Sequence, residues 1–163
     1  MKRFYSYLFI IVFCSLFICS CAETETSNAA VRDIMERVKR EAKLENAVTE
    51  DMKDYSVSGR YGISPDSIVE GLVYYSPGGE SADRIIIIKA KDADSVGKIE
   101  NALGREITRL TEAWEGRRDG DGKEQYKRLE RHIIKTRGMY VILAVCGEPK
   151  EAVKIFDGSV KKK

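Results

Sequence analysis

Histidine, surplus charge and cysteine beyond position 21 are scarce in this sequence, and each shortage removes a class of function. The single histidine is His132, so no pair of imidazoles is available to hold a metal. Of four cysteines, Cys14, Cys19 and Cys21 crowd the N-terminus, leaving Cys146 alone, and no Cys-x-x-Cys spacing occurs. Lys and Arg number 28 against 26 Asp and Glu, and the two counts become equal once Lys2 and Arg3 are set aside with the apolar segment behind them. A neutral surface has no field with which to draw in a polyphosphate, which excludes duplex nucleic acid as a partner. No Gly-x-Ser-x-Gly elbow, His-Glu-x-x-His motif or Gly-x-Gly-x-x-Gly fingerprint is present. What remains is 163 residues, 43% apolar and 33% charged, the composition and length of one folded domain.

The N-terminus carries the sharpest signal. Met1, Lys2 and Arg3 precede an apolar run over residues 4–18, the order of an export signal. As a helix that run extends about 22 Å, short of the roughly 30 Å hydrocarbon core of a bilayer. Ile18-Cys19-Ser20-Cys21-Ala22 then resembles a bacterial lipobox, which implies cleavage before Cys21 and a diacylglycerol thioether on its sulfur. Two alternatives stay open: ordinary secretion with cleavage at the small residues around Cys21, and a retained anchor. Two or three acyl chains hold a protein stably on a membrane where one does so only marginally. The expected partition is a signal peptide over residues 1–20, a lipidated Cys21 with a polar tether over 21–30, and one globular domain over 31–163. The seven residues from Ala22 to Asn28 reach at most about 25 Å, so the domain is expected to hang close to the membrane.

Along the rest of the chain, Val31, Ile34, Met35, Val38 and Ala42 recur at helical spacing and predict a helix over 29–44. Residues 68–75 and 82–90 read as strands around Ser76-Pro77-Gly78-Gly79-Glu80, and the run Ile85 to Ile88 is expected to be covered on both faces for part of its length. Residues 94–114 form the longest helical pattern, capped by Asp94 or Ser95, with Gly97 and Gly104 suggesting close packing or a bend. After a charged connection over 116–128, strands over 129–136 and 139–146 turn at Arg137-Gly138, and a helix over 148–157 closes the chain with Gly158 beyond its end. The order αββαββα predicts an α+β fold, a four-stranded antiparallel sheet with helices on one face.

Tyr61-Gly62-Ile63 with Pro65, Ala82-Asp83 ahead of the isoleucine strand, Lys89-Ala90-Lys91-Asp92, and Ile134-Lys135-Thr136-Arg137-Gly138-Met139-Tyr140-Val141, taken with the lipobox, resemble the small bacterial lipoproteins of domain-of-unknown-function family 4358. The resemblance runs over nearly the whole chain beyond Cys21. Two departures stand out: Arg84 where an acidic residue looks usual, and Arg117-Arg118-Asp119-Gly120-Asp121-Gly122 in place of a tyrosine and proline segment. The family has no assigned activity, so the resemblance implies location and fold and no catalytic residue.

Candidate chemistry is thin. His132 falls in an expected strand without a carboxylate or cysteine partner. Asp119, Asp121 and Glu130 have the first, third and last spacing of a calcium loop, but Lys123 and Glu124 occupy positions that need an oxygen ligand and a glycine. Cys146 ends an apolar run and reads as a buried structural thiol. Arg117, Arg118, Lys123, Lys127, Arg128 and Arg131, with the terminal Lys161-Lys162-Lys163, make basic clusters that could touch anionic lipid head groups or teichoic polymers, although interleaved acids favour a plain solvated face. The reading is a lipid-anchored extracytoplasmic binding or accessory module at the cell envelope, held by its membrane through Cys21 and engaging an envelope protein or polymer, with no cofactor, metal or catalysis expected. The alternatives are an envelope enzyme drawing on His132, Tyr74, Tyr75 and Tyr140, or a structural spacer in a membrane complex.

Overall fold

Ile85, Ile86, Ile87 and Ile88 are all inaccessible to solvent. Successive residues of a strand face opposite ways, so a strand built on them needs apolar cover on both sides. The computed structural model, which describes residues 28–120 and 122–160, supplies it. In chain order the elements are α1 (Val31–Ala42), β1 (Val48–Asp51), α2 (Tyr55–Arg60), β2 (Ile68–Tyr75), β3 (Arg84–Ala90), α3 (Ala93–Glu115), α4 (Lys123–Glu130), β4 (Ile133–Arg137), β5 (Tyr140–Val145) and α5 (Pro149–Val160). The isoleucine strand β3 is central in an antiparallel five-stranded sheet of order β1-β2-β3-β5-β4, with Ile87 opposite Leu72 on β2 and Ile142 on β5.

Both expected hairpins form, β2 with β3 and β4 with β5, and the fold is α+β. The sheet has five strands rather than four, because Val48-Thr49-Glu50-Asp51 adds an edge strand from Val48 opposite Tyr75 to Asp51 opposite Leu72. That strand is largely exposed, so its sequence lacks the apolar alternation that marks a buried one. Helices also cover both faces rather than one. Ile86 and Ile88 share a cluster with Ile99, Leu103 and Trp114 of α3 and Leu129 of α4. Ile85 and Ile87 share the other with Ile34 and Met35 of α1 and Val153 and Phe156 of α5.

Several boundaries move for local reasons. Helix α3 starts after Asp92, whose Oδ1 accepts the Ser95 backbone N–H at 2.8 Å, so the cap is Asp92 and not Asp94 or Ser95. A Cβ at Gly97 or Gly104 would meet nothing within 4 Å, which removes close packing as their reason. The charged connection contains a helix, α4, whose Tyr126 and Leu129 reach the core; Leu129 and His132 are therefore outside β4. Helix α5 continues through Gly158 to Val160. Among the described residues, no helix is long and apolar enough to cross a membrane. The signal segment, Cys21, most of the tether, Asp121 and Lys161 to Lys163 lie outside the described residues.

The chain joins the sheet at one end. The Tyr140 hydroxyl donates to the Ala29 carbonyl at 2.7 Å, the Val31 N–H donates to Glu70 Oε2 at 2.8 Å, and the Lys89 ammonium meets Asn28 Oδ1. Since Glu70 lies opposite Lys89 and Lys89 opposite Tyr140, these three ties define a near end, where β2 and β5 begin and β3 stops. The far end carries the β2–β3 turn, with Gly78 at φ +96° and Gly79 at φ +75°, and the C-terminus of α1.

Candidate functional site

At the far end, the α1 exit, the β2–β3 turn, α4 and the end of β5 enclose a polar cleft of about 360 Å³, with Lys43, Glu45, Glu80, Asp83, Gln125 and Arg128 in its lining. Asp83 is the residue around which it is built. The chain turns there from the exposed glycine loop into the buried isoleucine strand, and this leaves the side chain 6% exposed. One carboxylate oxygen, Oδ2, receives the Arg128 guanidinium from α4, while Oδ1 is buried with no hydrogen-bond partner among the described residues. Gln125, one turn before Arg128, fixes the loop: its Oε1 accepts the Ala82 N–H at 3.0 Å and the Ser81 hydroxyl at 3.3 Å. Burial holds the Asp83 carboxyl above the usual carboxylate range, with Arg128 pulling the other way. Arg128 remains 30% exposed. An acceptor lacking a donor, beside a guanidinium with donors to spare, suits a small polar ligand that offers both a hydroxyl or amide N–H and an oxygen acceptor.

A second depression, about 550 Å³, lies between the 62–67 loop and the start of α3 and includes Gly62, Ile63, Ser67, Lys91, Asp92 and Arg105. Tyr61-Gly62-Ile63 and Lys91-Asp92 thus meet in space. Several of its polar groups are engaged within the fold: Asp92 caps α3, Lys98 pairs with Asp94 at 2.6 Å, and the Ser67 hydroxyl donates to the Ser64 carbonyl at 2.6 Å.

The residues singled out for chemistry do not converge. His132 sits in the turn between α4 and β4, its Nδ1 donating to the Leu129 carbonyl at 2.6 Å. Tyr74 packs against the α1–α5 side and Tyr75 against the α3 side, while Tyr140 is at the near end. Glu130 closes α4, so a helix stands where a calcium loop would need open chain. Half of the described basic cluster is paired in place, Arg118 with Glu115, Lys127 with Glu124 and Arg128 with Asp83, and Arg117 lies 5.1 Å from the Trp114 ring centre. Cys146 is fully buried, and burial pushes its thiol up to about 11. At neutral pH it is therefore almost wholly a thiol, and only the thiolate attacks. Modification of Cys146 by a disulfide reagent at neutral pH is expected to follow the urea unfolding curve; rapid labelling of the native chain would contradict its placement.

Asp83 and Arg128 were not legible as a pair, because 45 residues separate them. The one local signal was a lone carboxylate against a strand buried on both faces, a place where a charge must find a partner. Arg84 was visible as a departure, but its role was not: it pairs with Glu106 of α3, which also accepts Arg109 Nε at 2.8 Å and Nη2 at 2.9 Å.

These features describe a three-layer α+β domain, an antiparallel sheet between two helical layers, with a polar cleft at the end opposite the chain's entry. The chain belongs to the family described as Domain of unknown function (DUF4358), whose model matches residues 41–146. The match takes in the whole sheet with α2, α3 and α4, and leaves out nearly all of α1 and all of α5. No curated protein and no solved structure matches the chain.

Proposed function

We propose that the protein is a lipid-anchored, extracytoplasmic binding module of the cell envelope, which presents the Asp83–Arg128 cleft away from the membrane to a small polar ligand or a polar segment of an envelope polymer. Residues 1–20 serve as the export signal, Cys21 carries the lipid, residues up to 30 tether it, and the domain begins at Val31. The observation that carries this reading is the opposition of the two ends. The chain enters the fold through Asn28, Ala29 and Val31 at the near end, and the cleft opens at the far end, separated by the length of β3, about 20 Å at 3.3 Å per residue. A tether holding the near end at a membrane leaves the cleft facing outward. The buried acceptor and the half-engaged guanidinium give that cleft a recognition chemistry without a nucleophile.

Expression in a bacterium that processes lipoproteins tests the anchor. The natural chain is expected in the membrane fraction with a diacylglyceryl-modified Cys21 as first residue, and Cys21→Ser is expected to remove the modification and release the chain. An unmodified amino end beginning at Ala22 sinks the reading. Crosslinking in the native membrane through a photoreactive residue at Gln125 then identifies what occupies the cleft; recovery of lipid alone counts against a binding role.

A further inference from the structure

The near end, where the tether leaves the fold, carries Val69 and Met139, two of the four large hydrophobic residues exposed among those described, while Val48 lies opposite Tyr75 at the far end. The exposed large hydrophobic residues among those described are Val48, Tyr55, Val69 and Met139. Val69, 44% exposed, is the second residue of β2, and Met139, 38% exposed, forms the β4–β5 turn beside Gly138, whose φ is +55°. The two flank the end of β3 from opposite sides, because Ala90 lies opposite Ile68 and donates its N–H to the Met139 carbonyl at 2.7 Å. With β3 between them, they stand about two strand spacings apart, on the order of 10 Å. Tyr55, 73% exposed, follows two residues after Lys53, whose ammonium donates to the Ile68 carbonyl at 3.1 Å.

Basic side chains ring these residues. Arg32 and Lys53 share a shallow groove with Val69, Lys89 lies over the Tyr140 ring, 5.4 Å from its centre, and Lys91 is exposed just beyond β3. Asp51 and Glu70 line that same groove, and Asp66 and Asp92 stand in the depression that holds Lys91, so charge contributes modestly and the apolar side chains contribute the rest.

We infer that this end of the domain is a membrane-contact surface, with Val69 and Met139 entering the head-group layer of an anionic bilayer and Lys53 and Lys91 meeting its phosphates. The inference rests on the anchor proposed above, and it adds that the domain docks in a fixed orientation rather than swinging on its tether. Two observations single out the bilayer as the occupant. The chain outside the described residues leaves from this same surface at Asn28, and residues 22–27 allow Cys21 at most about 25 Å of separation from it. A tether that short gives an effective concentration in the millimolar range, so even a weak contact is populated. The exposed groups are also of the kind that partition to an interface, apolar side chains with lysines whose stems are apolar and whose heads reach phosphate.

The test uses the full acylated protein in phosphatidylglycerol-containing vesicles, carrying one nitroxide label at a time through Val69→Cys, Met139→Cys or, at the far end, Glu80→Cys; Cys146 is buried and stays unlabelled. Labels at 69 and 139 are expected to be shielded from a water-soluble nickel complex and the label at 80 to be open to it. Adding Lys91→Gln is expected to shift the docking equilibrium at position 139 about fivefold toward the undocked state. Protein that floats with the vesicles while all three labels are equally open to water overturns the docking inference and leaves the anchor standing. Protein that does not float with the vesicles overturns the anchor, and docking falls with it.

Discussion

Glu106→Gln is expected to lower folding stability by about 3–5 kcal/mol, the cost of leaving a buried charge without its partner. Glu106 is 5% exposed in the middle of α3 and uses both carboxylate oxygens on guanidinium groups. The Arg84 side chain, 11% exposed, has nowhere to go, because it opens β3 directly before Ile85; Arg109, 61% exposed, can swing into water. An amide keeps the shape of the carboxylate but turns N–H groups toward a guanidinium that never loses its proton. The asymmetry of exposure gives the comparison. Arg109→Ala is expected to cost no more than about 1 kcal/mol, and the paired replacement Arg84→Met with Glu106→Leu is expected to be near neutral or stabilising, since it removes both desolvated charges together. Urea unfolding of the natural chain and the three variants measures the comparison. A Glu106→Gln protein within about 1 kcal/mol of the natural chain would mean that the pair is solvated well enough to contribute little.

The elements that were legible in the sequence are those whose local pattern and tertiary role agree. The repeats of α1 and α3, the Pro77-Gly78-Gly79 turn and the Arg137-Gly138 turn each encode their structure within a few residues, and both hairpins followed from them. The misses have one cause in common, that the deciding contact lay elsewhere in the chain. Strand β1 owes its existence to the backbone of β2, and Val48-Thr49-Glu50-Asp51 says little of this alone. The charged stretch before Glu130 contains only Tyr126 and Leu129 to bury, spaced three apart, and it becomes a helix because α3 and the sheet offer those two side chains a site. The covering of both faces was implied by Ile85 to Ile88, but a four-stranded sheet with helices on one face leaves Ile85 and Ile87 bare; the outcome turns on α1 and α5 packing together. The candidate site was least legible, because Asp83, Gln125 and Arg128 come from segments more than forty residues apart.

The cleft and the proposed tether and contact surface lie along one axis, and the sheet sets that axis. Each strand neighbouring β3 runs antiparallel to it, so its two ends are fixed relative to one another by the full hydrogen-bonded ladder of β2 and β5. Movement at the near end, where the chain is tied by Asn28, Ala29 and Val31, therefore carries the far cleft with it as part of a rigid body. A docked orientation at the membrane would fix the direction in which Arg128 is presented, which a freely swinging tether would not.

Phe156→Ala is the second large effect expected. Phe156 is fully buried on α5, in the cluster that covers Ile85 and Ile87, and it lies outside the span that matches the family. Removing its ring takes away the transfer energy and leaves a cavity in a layer only one helix pair thick, at a cost of about 3–5 kcal/mol. Against a total of about 5–15 kcal/mol for a domain, that leaves a marginal fold. Phe156→Leu keeps most of the volume and is expected to cost less than about 1.5 kcal/mol. Gly158→Ala separates packing from helix propensity on the same element: a Cβ there meets nothing within 4 Å, so it is expected to stabilise by up to about 1 kcal/mol. If thermal unfolding shows Phe156→Ala close to the natural chain while Gly158→Ala stabilises, α5 is a peripheral helix and the matched span folds largely without it. If Phe156→Ala collapses the transition, the second face of the sheet depends on a helix the family pattern does not include, and the folding unit is larger than the family unit.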